Sequence, residues 1–579
     1  MSSARLKRGG AALAAWVGLS GCGEGLGSDD AGEPTAQRDE ATGAADAAVA
    51  EDAAQAEFYG LERRVEIEVE LDPAAWGALR LEGRSLIDAI LEPNIEHNYT
   101  YFSADVIIDG QRHEDVAVRK KGYLASLSSE RPSLKIHLGR DGRNLSHVGL
   151  DELTLSNDRL DPSHTNQCLA YRVFAAAGVP ASRCGLAHVV VNGEDLGTYS
   201  NVEQIGKPLL ARYFSDKDGN LYEGQLLDFD TDRLDLFQLE TNETRNDRSD
   251  LARLKAALGS DDAEFVERLG AVLDLEAFRS FWALETLLRH WDGYAGNRNN
   301  FYVYHDPTSD RFVFLPWDTD RTFRGVNPFD AVNTSIAVYA RGVIANRLYA
   351  LPDQRQAFRE RLGELAESAW VEERMNAELA QIEAIAVDAA PELIAAQRAL
   401  VASHPVALRE ELSREAPEWI DAAAPPPDAC AGAREVRGTF ATTWGTLASP
   451  TEGAVWVEAN IDGQPQQLTG TAGAGLDETL GDGIPRLRLS ARLSPARTLG
   501  VDIVLTPRAF GPGATTFHGL ETVGFVNVFD SGTAPLAGPL PSGILSDGVI
   551  EFDAAGTEPG AAVRGRFSGR LLQLGCFVR

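Results

Sequence analysis

From Phe58 onward, apolar and polar positions begin to alternate regularly. Arg64-Val-Glu-Ile-Glu-Val-Glu-Leu71 puts an apolar side chain at every second position, the period of a half-buried strand. The same reading gives strands at Ala104–Asp109, Val116–Lys120, Ser133–Leu138 and Ala187–Val191, with Asp109-Gly110 and Asn192-Gly193 as turns. Helical spacing appears first at Ser163–Ala177, which stops at Gly178 before Pro180. It then dominates: Leu251–Leu258, Asp262–Val272 and Leu275–His290 read as amphipathic or buried helices, and a helical stretch runs from about Gln354 to Glu411. Early strands and late helices predict an α+β body. Pro425-Pro-Pro427 interrupts the chain, because consecutive prolines cannot continue a helix. Beyond it, Ala454–Ala459, Arg486–Ala491, Gly500–Leu505 and Ala562–Leu572 carry strand-forming residues between Gly-, Pro- and Asp-rich turns, which predicts an all-β, sandwich-like domain.

The N-terminus follows neither pattern. Arg5, Lys7 and Arg8 precede an apolar run, Ala11–Leu19, that is far shorter than the roughly 20 residues of a membrane span. With Leu19-Ser-Gly-Cys22 at its end, it reads as an export signal closed by a bacterial lipobox, with Cys22 as the acylated residue. A plain signal peptide with an incidental cysteine is the alternative. The next stretch, 23–56, is Gly-, Ala- and acid-rich with almost no large apolar residue, and predicts a flexible tether. The expected organisation is a signal at 1–22, a tether at 23–56, a body at 57–420, a linker at 421–429 and a β-domain at 430–579. The expected location is outside the cytoplasm, held to an outer membrane or cell surface by lipid.

Composition narrows the function. At 579 residues and 44% hydrophobic, the chain has ample material for more than one core. Its net charge of -32 argues against nucleic acid as a partner, since a polyanion would be repelled. Of 5 cysteines, lipidation would consume Cys22; the other four are an even number suited to an oxidising compartment. Pairing within each domain would give Cys168–Cys184 and Cys430–Cys576; four buried thiols are the alternative.

The chemistry concentrates in His290–Phe323. His290-Trp-Asp292 and Asn297, with four residues between the Asp and the Asn, match the H-x-D-x4-N spacing of a kinase catalytic loop. An aspartate there reaches the acceptor hydroxyl, and an amide oxygen turns back toward a metal on the phosphates. Gly293 and Gly296 suit a tight loop. Phe301–Tyr304 and Arg311–Leu315 predict a hairpin, from which Pro316-Trp-Asp-Thr-Asp320 emerges with two hard oxygen ligands suited to Mg²⁺ or Mn²⁺. Read blandly, Asp292 and the asparagines would be turn formers, and Asp318 and Asp320 a surface or calcium loop.

Together these residues resemble the spore-coat-protein-H (CotH) kinase family. Asp292, Tyr294, Asn297, Asn299, Asn300, Phe301, Tyr302 and Tyr304, then Pro316, Trp317, Asp318 and Asp320, match its two central segments. Val118-Arg-Lys-Lys-Gly122, Arg131–Ile136, Leu153–Asn157, Asp161–Ser163 and Gly197–Glu203 look like further landmarks. The resemblance covers roughly 58–415 and implies a protein-kinase-like fold that uses ATP and a divalent metal to phosphorylate serine on secreted or coat proteins. It implies Asp292 as base, Asn297 and Asp318 as metal ligands, and Asp320 as a neighbouring or alternative ligand. Lys135, ahead of Lys121 and Arg119, would face the phosphates, with Glu203 as an option for the lysine's partner. A Ser-rich surface protein is then the expected substrate. Two other readings stay open: a non-catalytic surface protein with this fold, and phosphoryl or nucleotidyl transfer to a non-protein acceptor.

Overall fold

In the computed structural model of the chain, the described residues are 49–82, 99–122, 128–139, 146–323, 335–419 and, with short gaps, 434–572. The chain divides into two units, Met1–Ala53 and Ala54–Arg579; the sheets and the candidate site belong to the second. The fold is α+β. No helix among the described residues is long and apolar enough to cross a membrane. Cys22, Cys430 and Cys576 lie outside the described residues.

Seven strands form a closed barrel in the order β1-β2-β3-β4-β5-β7-β6: β1 (Arg64–Leu71), β2 (Phe102–Ile108), β3 (Gln111–Lys121), β4 (Ser133–His137), β5 (Glu152–Ser156), β6 (Cys184–Val191) and β7 (Glu194–Val202). The alternation of β1 is realised directly: Val65, Ile67 and Val69 are buried while Glu66, Glu68 and Glu70 face solvent. Asp109-Gly110 and Asn192-Gly193 have positive φ at both residues and turn the chain from β2 to β3 and from β6 to β7. β5 and β7 escape a search for alternation for one reason. Thr154, Ser156, Thr198, Ser200 and Asn201 are buried along with their apolar neighbours, so no polar face marks the period.

The second sheet has the order β11-β10-β8-β9, from β8 (Asn220–Gly224), β9 (Gln238–Leu239), β10 (Phe301–Asp306) and β11 (Arg311–Pro316). Helix Leu275–Leu287 packs against it with nine buried residues, including Phe278, Phe281 and Trp282. The expected stretch 354–411 is three helices, Pro352–Ser368, Glu372–Ile385 and Pro391–Leu412. Helix Asn166–Ala176 starts three residues after Ser163 because the Asp161 carboxylate accepts the N–H groups of Thr165 and Asn166, at 2.9 and 2.8 Å. A Cys168–Cys184 disulfide ties this helix to β6.

The C-terminal strands correct the sandwich expectation. β12 (Arg434–Thr443), β13 (Thr451–Ile461), β14 (Gln464–Asp477), β15 (Ile484–Arg492), β16 (Arg497–Leu505), β18 (Thr522–Asp530), β19 (Gly543–Ala555) and β20 (Ala562–Leu572) pair in sequence, and β20 returns to pair with β12. Because β19 also pairs with β20, one sheet closes on itself instead of splitting into two layers. The short β17 (Gly513–Thr516) lies beside β19. Val436, Phe440, Leu487, Ile503 and Phe567 belong to a core of its own.

Candidate active site

Helix Leu275–Leu287 delivers the chain into the loop. Arg289 takes φ +57°, and one short turn, Tyr294–Asn297, follows Asp292 before Arg298 and Asn300 reverse the backbone again at φ +56° and +51°. Neither loop glycine is needed for a positive φ; both are needed for space. A Cβ on Gly293 would lie 2.1 Å from Glu285 Oε1, and one on Gly296 would lie 2.1 Å from the Trp291 carbonyl oxygen. The Tyr294 ring runs into the core, where its hydroxyl donates to Asp228 Oδ1 at 3.1 Å and accepts the Ile344 N–H at 3.1 Å.

Three asparagine amides hold Asp292. Its Oδ1 accepts from Asn297 Nδ2 at 2.7 Å and from Asn299 Nδ2 at 3.4 Å, and its Oδ2 accepts from Asn300 Nδ2 at 3.1 Å. With its amide nitrogen turned to Asp292, Asn297 has its oxygen free to face elsewhere. Burial pushes the Asp292 carboxyl up to about 6 against the lowering effect of the Asn297 bond and of Arg321.

The loop is linked to the Pro316–Asp320 segment through the backbone: the Trp317 N–H donates to the Asn300 carbonyl at 3.1 Å. Asp318 sits at φ +42° and opens a 3-10 turn, Thr319–Arg321. Helix Asn166–Ala176 supports that turn from behind. Asn166 Nδ2 donates to the Asp320 carbonyl at 2.8 Å and the Thr319 hydroxyl to the Gln167 carbonyl at 3.4 Å, while the Thr322 hydroxyl donates to the Thr319 carbonyl at 2.8 Å and lies 3.4 Å from the Asn166 carbonyl. Burial raises the Asp318 carboxyl, with Lys121 opposing; burial and then Asp318 itself raise Asp320 well above the usual carboxylate range, with Arg321 opposing and Asp292 adding. Three carboxylates thus share one field, offset by two fixed cations. Such a group gains from a further cation.

Strand alternation sorts the expected basic residues. Arg119 and Lys121 share one face of β3, and Arg119 stands opposite Lys135 on β4. Lys120 points the other way and donates to the carbonyls of Arg80 and Glu82 at 2.8 and 2.6 Å, closing helix Pro73–Leu81. The Lys121 ammonium lies 5.9 Å from the Trp317 ring; burial lowers its pKa, while Asp318 and Asp320 raise it. Lys135 is instead paired with Glu152 at 2.9 Å. Lys121 is therefore the lysine beside the acidic segment, ahead of Lys135. The Arg119 guanidinium lies 5.4 Å from the Tyr101 ring. Glu203 is not the lysine's partner: its oxygens accept from Arg212 at 2.5 and 2.6 Å and from the Arg183 N–H at 2.8 Å. Glu152 holds that place because β5 is the neighbour of β4, whereas Glu203 follows the end of β7.

Residues 118–399 match the family model described as CotH kinase protein. That segment, just under half of the chain, is similar to the CotH kinase family. A curated phosphoserine aminotransferase of Desulfotalea psychrophila (strain LSv54 / DSM 12343) is 27% identical over 142 residues, 22% of this chain and 39% of that protein. The chain thus spans well under half the length of that relative, and the likeness carries no activity across. The CotH match begins within β3 and takes in Arg119, Lys121, Lys135, Asp292, Asn297, Asp318 and Asp320; β1, β2 and the C-terminal barrel lie outside it.

Within the CotH segment, motif spacing did not reveal Glu285, Asp228, Asn166, Arg321 or Glu152. Glu285 carried a signal all the same: in Phe281-Trp-Ala-Leu-Glu-Thr-Leu-Leu288 it is the one acidic side chain in an apolar run. Asp228 and Asn166 carried none, because they act on residues 66 and 154 positions away.

Proposed function

We propose that the chain is an exported, lipid-anchored atypical protein kinase that transfers the γ-phosphate of ATP to serine or threonine of surface or secreted proteins. The observation that carries this reading is Asp292, oriented by three asparagine amides next to the paired carboxylates of Asp318 and Asp320. Asp292 takes the proton of the acceptor hydroxyl as that oxygen bonds to the γ-phosphorus. The bond from phosphorus to the β–γ bridging oxygen breaks and ADP departs. Lys121 and Arg119 face the triphosphate, and Arg321 offsets the carboxylates beside it.

Among the described residues no three His, Cys, Asp or Glu side chains form a metal cage. Mg²⁺ and Mn²⁺ take one or two protein carboxylates and complete their shell with phosphate oxygens and water. Asp318, Asp320 and the Asn297 amide oxygen would hold the ion. When bound, it neutralises charge on the phosphates.

The test is label transfer from γ-labelled ATP with Mn²⁺ to a Ser-rich acceptor, comparing the wild type with Asp292→Ala and Asp318→Ala. Asp292→Ala lowers kcat by about 10²–10⁴-fold with the KM for ATP little changed. A wild type that labels neither itself nor the acceptor sinks the reading; transfer of labelled AMP instead would make it a nucleotidyl transferase. Acyl labelling that disappears in Cys22→Ala checks the lipid anchor.

A further inference from the structure

We propose that Glu285 is the positioning residue that sets the catalytic loop around Asp292, an inference that rests on reading Asp292 as the base. Glu285 is fully buried near the end of helix Leu275–Leu287. Its Oε1 accepts the Tyr294 N–H at 2.9 Å and its Oε2 accepts the Ala295 N–H at 2.7 Å. Its own carbonyl accepts the His290 N–H at 2.8 Å. One residue therefore holds both ends of His290–Ala295, and Asp292 lies between them.

The fit is made from both sides. The first N–H groups of the Tyr294–Asn297 turn have no acceptor within it, and the two Glu285 oxygens supply one to each. Gly293 leaves room for Oε1, which a Cβ would displace. Beyond the backbone, the Tyr294 hydroxyl is fixed by Asp228 and by the Ile344 N–H, and Asp228 also accepts the Val343 N–H at 2.7 Å. Glu285 fixes the backbone of the loop and Asp228 the side chain that follows. Displacement of the Asp292 backbone would require one of these attachments to break. Glu285 reaches the chemistry only through this backbone.

The experiment compares Glu285→Gln with Gly293→Ala in the full chain. The first sets an amide N–H₂ against one of the loop N–H groups; the second crowds the same contact while leaving the Glu285 carboxyl in place. Both lower kcat by about 100-fold, the cost of misplacing a catalytic group by about 1 Å, while the KM for ATP stays within about twofold. Both also speed amide exchange at Tyr294 and Ala295 and leave exchange in helix Leu275–Leu287 unchanged. Unchanged kcat in both variants overturns the proposal. So does a joint fall of kcat, ATP affinity and melting temperature, which marks a merely structural acid. If the wild type transfers no label, the kinase reading itself fails. Exchange at Tyr294 and Ala295 then decides alone: faster in Glu285→Gln supports the anchoring, unchanged overturns it.

Discussion

Asp292 and Asp228 are carboxylates in the same core with different tasks. Asp292 is half-buried, whereas Asp228 is buried under the Tyr294 hydroxyl and the Val343 and Phe229 N–H groups. Burial pushes Asp228 up to about 6, with Arg298 pulling it down and Asp230 pushing it further up. The folded chain therefore holds a proton there that the unfolded chain releases from about pH 4 upward. The stability this contributes is complete below the unfolded pKa and lost as pH rises through 6, a change on the order of 3 kcal/mol. Asp228→Asn does not titrate at this position. Relative to that variant, the wild type should lose stability between pH 4 and pH 7 in urea unfolding. A constant difference between the two across that range would exclude a raised Asp228. Both aspartates sit in loops, where no helix or strand period marks which side chains turn inward.

At the scale of elements, the acidic segment is shaped less by its own hairpin than by a helix from 150 residues earlier in the chain. Asn166 and Gln167 hold the backbone and hydroxyls of Thr319–Thr322, and the next residue, Cys168, is bonded to Cys184 on β6. The disulfide spans a sequence separation of 16 residues. A loop of that size contributes about 3 kcal/mol by restricting the unfolded chain. Reduction, or Cys168→Ser with Cys184→Ser, is expected to lower the melting temperature. It should also speed amide exchange at Asp320–Phe323 while β10 stays protected. Exchange at Asp320–Phe323 that ignores reduction would show that the helix holds its place without the bond. The spacing of Asp292, Asn297 and Asp318 could be read from sequence because loop, hairpin and Pro-Trp-Asp run continuously. The supporting helix could not, because nothing in the spacing from Asn166 to Asp320 marks a contact.

In the whole molecule, the barrel of β12–β20 keeps a hydrophobic core separate from that of the helices. A core of this kind suits independent folding. A chain ending at residue 419 should therefore keep the label-transfer kcat of the full chain within about twofold, and residues 431–579 should unfold cooperatively alone. Loss of transfer on truncation would make the barrel part of the catalytic unit. The amino-acid sequence by itself determined what short spans encode: the alternation of β1, the turns at Asp109-Gly110 and Asn192-Gly193, and the loop–hairpin–Asp order of the site. In such spans the covalent chain sets which residues are neighbours. Only the tertiary structure decided that Lys121 and not Lys135 stands by Asp318, that Glu152 and not Glu203 pairs with Lys135, that Glu285 grips the Asp292 loop, and that the last sheet closes into a barrel. Each of these depends on which strand edges meet and which faces turn inward, and no local pattern of residues specifies that.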